Sequence, residues 1–205
     1  MTTGPDSMPP LYGLVMAGGM SSRMGRDKAA LAYAGKPQVR ICAELLAQFA
    51  ERVFVSGGVR EDDPLFSGMD VIEDEPPQVG PMGGLSAAQN AHPGAAWLVL
   101  ACDLPLVDST LLHALVDGRD PSRRATAFMA GDGLFEPLCA IYEPEMRPVL
   151  HERIAGSDYS LRRALGDSNV RLLCAANEDQ LRSVNTPEEY AVVMAGLSHG
   201  KGTST

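Results

Sequence analysis

Apolar positions along the chain fall into two patterns that take turns. Short, nearly continuous apolar runs occupy residues 11–17, 53–55, 71–72 and 95–101. They stop at glycine, acidic or turn-forming residues, as strands buried on both faces of a sheet do. Between them the spacing lengthens to that of a helix. Over residues 37–52 the apolar positions are Val39, Ile41, Cys42, Leu45, Leu46, Phe49 and Ala50. Residues 85–91 and 109–116 read as further helices. The later part is less regular, with strands expected over 125–130, 137–142 and 170–174. Helices are expected there over 144–154, 160–165 and 187–197, the last with Pro187 at its first position. This alternation predicts an α/β fold, a three-layer α/β/α sandwich on a mainly parallel sheet. Ligands of such sheets bind beyond the carboxyl ends of the strands, so the loops after the apolar runs carry the candidate chemistry.

Length and charge narrow the function. A chain of 205 residues predicts one domain over 11–197, between a loose arm over 1–10 (MTTGPDSMPP) and a flexible tail over 198–205. The net charge of −9, from 17 basic and 26 acidic residues, argues against nucleic acid or an anionic membrane as partner. Small anions then need a local gathering of positive charge, and Arg23, Arg26 and Lys28 provide one. Cys42, Cys102, Cys139 and Cys174 lie far apart with no CxxC pair, which argues against a zinc site. Three of the four sit in apolar strand-like runs and read as core thiols of a reducing compartment. No apolar run approaches the roughly 18 residues of a membrane span, and no signal-peptide core opens the chain. A cytoplasmic protein is expected.

Two loops follow strongly apolar strands. MAGGMSSRMGRDK, residues 16–28, places glycines just past the first strand, where backbone amides can cradle an anion. Arg23 offers a bidentate fork for phosphate oxygens and Lys28 a movable point charge. The string is neither a Walker A loop nor GxGxxG. The second loop, CDLP at 102–105, puts Asp103 just beyond the AAWLVLA run. Mg²⁺ takes one or two carboxylates and completes its shell with phosphate and water, a role that suits Asp103. Alternatively, Asp103 caps the helix that begins near Asp108.

Two further loops are ambiguous when taken singly. EDEPPQVGPMGGL, residues 73–85, is either a carboxylate cluster that accepts hydrogen bonds from a base or sugar, or a solvated surface loop. In SVNTPEE, residues 183–189, Thr186 reads as an N-cap, Pro187 as the first helical residue and Glu189 as the partner in a capping box. Asn185 is left unexplained.

Taken together, these strings resemble the molybdenum cofactor guanylyltransferases, within the wider Rossmann-like nucleotidyltransferases. That family opens with LAGG-x-x-x-RMG-x-DK, which stands here as MAGGMSSRMGRDK. VIED at 71–74, GPMGGL at 80–85, CDLP at 102–105 and VNTPEE at 184–189 follow in the expected order. The resemblance spans about residues 12–195. It implies transfer of GMP from GTP to molybdopterin, with Mg²⁺ as cofactor and pyrophosphate as product. It implies that Ala17, Gly18 and Gly19 contact guanine and phosphate, and that Lys28 contacts the phosphates. Asp74 and Gly80 would lie on the nucleotide, Asp103 on Mg²⁺ and Asn185 on the pterin side. Other molybdenum cofactor biosynthesis proteins and client molybdoenzymes are the partners it implies.

The chain departs from the family pattern at four places. Met16 replaces Leu, Ser56 stands where many members have Asn, and Ser183 replaces the first Asn of NVNTP. Glu136 lies in a loop where others carry His or Gln before proline. The reaction needs no covalent intermediate, so catalysis is positioning and charge neutralisation by Arg23, Lys28 and an Asp103-bound metal. Two other readings stay open. One is a cytidylyltransferase acting on molybdopterin or a small sugar or isoprenoid phosphate, although Gly18-Gly19 and GPMGGL lean toward guanine. The other is a non-catalytic nucleotide or cofactor carrier on the same fold, against which Lys28 and Asp103 are both retained.

Overall fold

The computed structural model describes residues 8–18, 28–33, 35–57 and 63–199. In chain order these form β1 (Leu11–Met16), the short hairpin β2 (Ala32–Tyr33) and β3 (Lys36–Pro37), α1 (Gln38–Leu46) and β4 (Arg52–Ser56). There follow β5 (Asp70–Val71), α2 (Pro81–Ala91), β6 (Ala96–Ala101), α3 (Ser109–Asp117), β7 (Ala125–Met129) and β8 (Phe135–Tyr142). The chain closes with α4 (Arg147–Ala155), α5 (Leu161–Gly166), β9 (Val170–Cys174) and α6 (Pro187–His199).

Seven strands make one sheet in the order β5-β4-β1-β6-β8-β7-β9. β1 is parallel to β4 and β6, β5 to β4, and β9 to β7, while β8 runs antiparallel to both of its neighbours. The sheet is mainly parallel, as the sequence predicts. Its layers follow from period-two alternation. Leu11 and Val15 of β1, with Ala96, Leu98 and Leu100 of β6, join a core beneath α1 and α3. Leu14 and Met16, with Trp97, Val99 and Ala101, join a second core beneath α2, α4 and α5. Every residue of β6 is buried. A strand apolar on both faces is stable only with helices on both sides.

Several expected boundaries shift for local reasons. The helical period over 37–52 becomes the shorter α1, because Pro37 pairs in the hairpin and Glu51 N–H is drawn to Leu11 O at 2.9 Å. α2 begins at Pro81 rather than 85, so most of GPMGGL is helix and not loop. Glu136 lies in β8 and not in a loop. Cys42, Cys102 and Cys139 are buried, whereas Cys174 on the sheet's outer strand is exposed. Residues 1–7 of the expected arm and 200–205 of the expected tail lie outside the described residues. Pro9 and Pro10 are tied down: Pro9 O accepts from Arg119 at 3.0 Å, and Pro10 O from Ala96 N–H at 2.9 Å.

One close approach fixes how the strand ends meet. A Cβ on Gly18 would fall 2.5 Å from both Gly57 Cα and Gly57 O. Gly57 itself has φ +117°, a conformation that side-chain-bearing residues avoid. The chain leaving β1 therefore lies backbone to backbone on the chain leaving β4. Gly57→Ala should destabilise the fold by about 2 kcal/mol or more, from backbone strain together with steric overlap. Urea unfolding measures it; a loss within error of zero would show that the contact relaxes freely.

Candidate active site

The carboxyl ends of β1, β4 and β6 share one edge, because Met16 pairs with both Ser56 and Ala101. Hydrogen bonds continue just past the strands. Ala17 N–H donates to Ser56 O at 2.7 Å, and Cys102 N–H to Met16 O at 3.1 Å. Ala17 is buried, Gly18 is exposed, and Asp103 lies half-buried two residues beyond β6. Gly19 and Arg23 lie outside the described residues. Lys28 opens a short 3₁₀ turn that follows them.

On one side of this edge stands Asp74, after β5. Its Oδ1 accepts from Ser56 Oγ and from Gly57 N–H, the latter at 2.9 Å. Ser56 is fully buried, so its hydroxyl serves Asp74. The N-terminus of α2 descends onto the same pair. A Cβ on Gly84 would lie 2.5 Å from Ser56 Oγ and 3.1 Å from Asp74 Oδ1, and one on Gly83 would lie 2.5 Å from Pro76 O. The two glycines thus let the positive end of the helix approach Asp74, where a carboxylate is favoured. Gly80 caps α2 with φ +69° and no side-chain hydrogen bond.

Across the edge, Asp103 O accepts from Val184 N–H at 2.8 Å, which hangs the 183–189 segment on the Asp103 turn. The expected capping box forms. Glu189 N–H donates to Thr186 Oγ1 at 3.2 Å, while Glu189 Oε2 accepts from Thr186 N–H at 3.1 Å and from Asn185 N–H at 2.6 Å. Asn185 Nδ2 donates to Ser183 Oγ at 2.8 Å, so the hydroxyl that departs from the family pattern orients the amide. Helix α3 has its own N-cap, Asp108, whose Oδ1 accepts from Leu111 N–H at 2.9 Å. That removes the capping alternative for Asp103.

Glu136 comes to the same edge because β8 runs antiparallel to β6, with Leu100 opposite Cys139. It is 6% exposed. Its Oε1 accepts from Leu138 N–H at 2.9 Å, and its Oε2 lies 3.8 Å from Arg162 Nη2, a cation also held by Asp132 at 2.7 Å. Burial pushes the Glu136 carboxyl above the ordinary range, and the charges of Asp103 and Asp132 add to the effect against Leu138 and Arg162. The sequence marked Glu136 as a departure but gave no sign of its burial, because an acid before proline reads as a turn. The sequence marked Ser56 as a departure too, but gave no sign that its hydroxyl serves Asp74.

Because the folded protein holds the Glu136 proton more tightly than the unfolded chain, stability falls as pH rises from the ordinary carboxylate range through the raised value. Below that window both states are protonated and Glu136 contributes no slope. Glu136→Gln should flatten this part of the profile and be the more stable protein above it. Urea unfolding from about pH 4 to about pH 8 tests this, and parallel profiles would refute it.

The chain and its fold match known proteins. The MobA-like NTP transferase domain matches residues 13–181. A molybdenum cofactor guanylyltransferase of Xanthomonas euvesicatoria pv. vesicatoria is 35% identical over 89% of this chain and 93% of its own length. A molybdenum cofactor biosynthesis bifunctional protein of Synechocystis sp. is 33% identical over 91% of the chain; the match spans about half of that relative, 54%. The crystal structure of molybdopterin-guanine dinucleotide biosynthesis protein A from Archaeoglobus fulgidus superposes with a TM-score of 0.77 at 20% identity, covering 92% of this chain and 99% of that one. The chain therefore belongs to the MobA-like NTP transferases, in the family of the molybdenum cofactor guanylyltransferases.

Proposed function

We propose that the protein transfers GMP from GTP to molybdopterin in the cytoplasm. The observation that carries this reading is the convergence at one sheet edge. Gly18, Asp74 and the start of α2 lie on one side, and on the other Val184 N–H holds the residue before Asn185 to the Asp103 carbonyl. A nucleotide laid along the first group would meet an acceptor held by the second beside Asp103. An oxygen of the acceptor's terminal phosphate attacks the α-phosphorus of GTP. The new P–O bond forms as the bond to the β-phosphate bridging oxygen breaks, and pyrophosphate leaves with that electron pair.

This chain's residues align the two phosphates and offset their repulsion. In this reading the amides after β1 and the charges of Arg23 and Lys28 would neutralise the nucleotide phosphates. Asn185, fixed by Ser183 and Glu189, faces the pterin. Among the described residues no three His, Cys, Asp or Glu side chains gather as a metal site. A single carboxylate with phosphate and water oxygens is a donor set that fits Mg²⁺ and not zinc, and Asp103 is the carboxylate that would hold it. When bound, Mg²⁺ supplies Lewis-acid neutralisation of the phosphates. Among the described residues no helix is long and apolar enough to cross a membrane.

A nucleotide panel tests the reading. With Mg²⁺ and molybdopterin, GTP should release pyrophosphate while ATP and CTP do not. GTP should also raise Tm most at equal concentration, by the binding linkage RT ln(1 + [L]/Kd). Equal or greater stabilisation and turnover with CTP would move the protein to the cytidylyl alternative. Asp103→Asn preserves shape and removes the charge, so it should cut turnover about a hundredfold or more with Tm little changed. Overlaid Mg²⁺ titrations of the two proteins would refute the role of Asp103.

A further inference from the structure

The closing helix reaches back to the segment that leaves the glycine loop. Tyr190, in the first turn of α6, donates its phenol O–H to Ala32 O at 2.6 Å. Its ring meets that of Tyr33 at 5.1 Å between centroids and 65° between planes. Tyr33 is 3% exposed. Burial, then the charges of Tyr190 and Asp103, hold the Tyr33 phenol above its ordinary range. Leu31, Tyr33, Val184 and Val193 form a small core apart from the two large ones, with Leu106 and Tyr190 packed against it.

Three pieces of the candidate site meet at this cluster. Residues 28–33 follow the glycine loop. Leu106 belongs to the turn that carries Asp103. Val184 precedes Asn185 and donates to Asp103 O. Among the described residues strand β2 pairs only with β3, outside the seven-stranded sheet; besides that hairpin and the bond from Gln38 N–H to Leu31 O, side-chain packing and the Tyr190 hydrogen bond hold it.

We propose that Tyr190 is a positioning residue for the transfer reaction, tying the acceptor-bearing turn to the segment that leaves the glycine loop. The proposal rests on the guanylyl-transfer reading above. In-line displacement needs the attacking oxygen, the α-phosphorus and the leaving oxygen in a row, and small misplacement of either partner lowers the rate steeply. Asp74 and Asp103 lie within three residues of the ends of β5 and β6. The 28–33 and 183–186 segments lie outside its strands, and Tyr190 bridges them through Ala32 and through the first turn of α6.

Tyr190→Phe tests this, since it removes the hydroxyl and keeps the ring. In the ligand-free protein, amide exchange in residues 29–33 and 184–186 should quicken about fivefold, the scale of one lost hydrogen bond, with β6 unchanged. In turnover, kcat should fall and the acceptor KM rise, each by about fivefold, while GTP stabilises the variant as it does the unaltered protein. Tyr190→Ala should move every readout further in the same direction. Unchanged exchange in both segments overturns the tie. Faster exchange with kcat and both KM values unaltered makes Tyr190 purely structural and overturns the positioning role. If the unaltered protein turns over no nucleotide, guanylyl transfer fails as the function, and the exchange measurement alone decides whether the tie exists.

Discussion

β1 lies between β4 and β6 in parallel register, and the site depends on that pairing. Because the three strands share polarity, their carboxyl ends and everything attached to them come to one edge. The register is pinned sterically as well as by hydrogen bonds. Gly13 faces α1 so closely that a Cβ there would lie 3.1 Å from Leu46 Cβ and 3.2 Å from Val53 Cγ2. A slip of one residue would bring Tyr12 or Leu14 into that space and turn every side chain of β1 to the opposite core. The cost would include the two-sided burial that makes β1 and β6 stable. Past the strand ends, Gly18 and Gly57 carry the same alignment outward by stacking backbone on backbone. The chain thus leaves β1 and β4 from fixed positions.

How the sequence announced this arrangement varied along the chain. The two-sided runs around Val15 and Leu98 are apolar enough to identify central parallel strands. The motifs put Gly18 and Asp103 just past two of these strands, and the structure finds them just beyond β1 and β6. The antiparallel direction of β8 was not legible. Its residues alternate no differently from a parallel strand, and only the long-range pairing of Leu100 with Cys139 reveals it. The start of α2 was hidden because Gly83 and Gly84 disfavour helix. They are tolerated since the helix must pass within contact of Ser56, Asp74 and Pro76, and no larger side chain fits there. The contact between Tyr33 and Tyr190 joins residues more than 150 positions apart and has no local signature.

Charge poses a harder problem than topology. A protein of net charge −9 gathers two acids, Asp103 and Glu136, at one edge of its sheet. Each acid is handled differently. Glu136 is sunk into the sheet, bound by Leu138 N–H and faced by Arg162, so part of its charge is spent before any ligand arrives. Burial further favours its neutral form. Asp103 remains half-open at the end of a rigid strand, the place where a carboxylate can engage a cation without moving. The departure from His or Gln at Glu136 is therefore compatible with an anionic acceptor.

The 183–189 segment shows how one short motif serves both the fold and the site. Thr186, Pro187 and Glu189 are explained by helix initiation alone, since the capping box satisfies amides that would otherwise face no partner. The same Glu189 carboxylate also accepts from Asn185 N–H, one residue before the cap. Starting the helix thereby also fixes the backbone of Asn185. Ser183 holds the Asn185 side chain from the other direction, and Val184 anchors the strip to Asp103 O. Asn185 is thus restrained through its own backbone, its own amide and its preceding neighbour. A helix N-terminus built in this way holds a polar side chain in place beside the turn that carries Asp103.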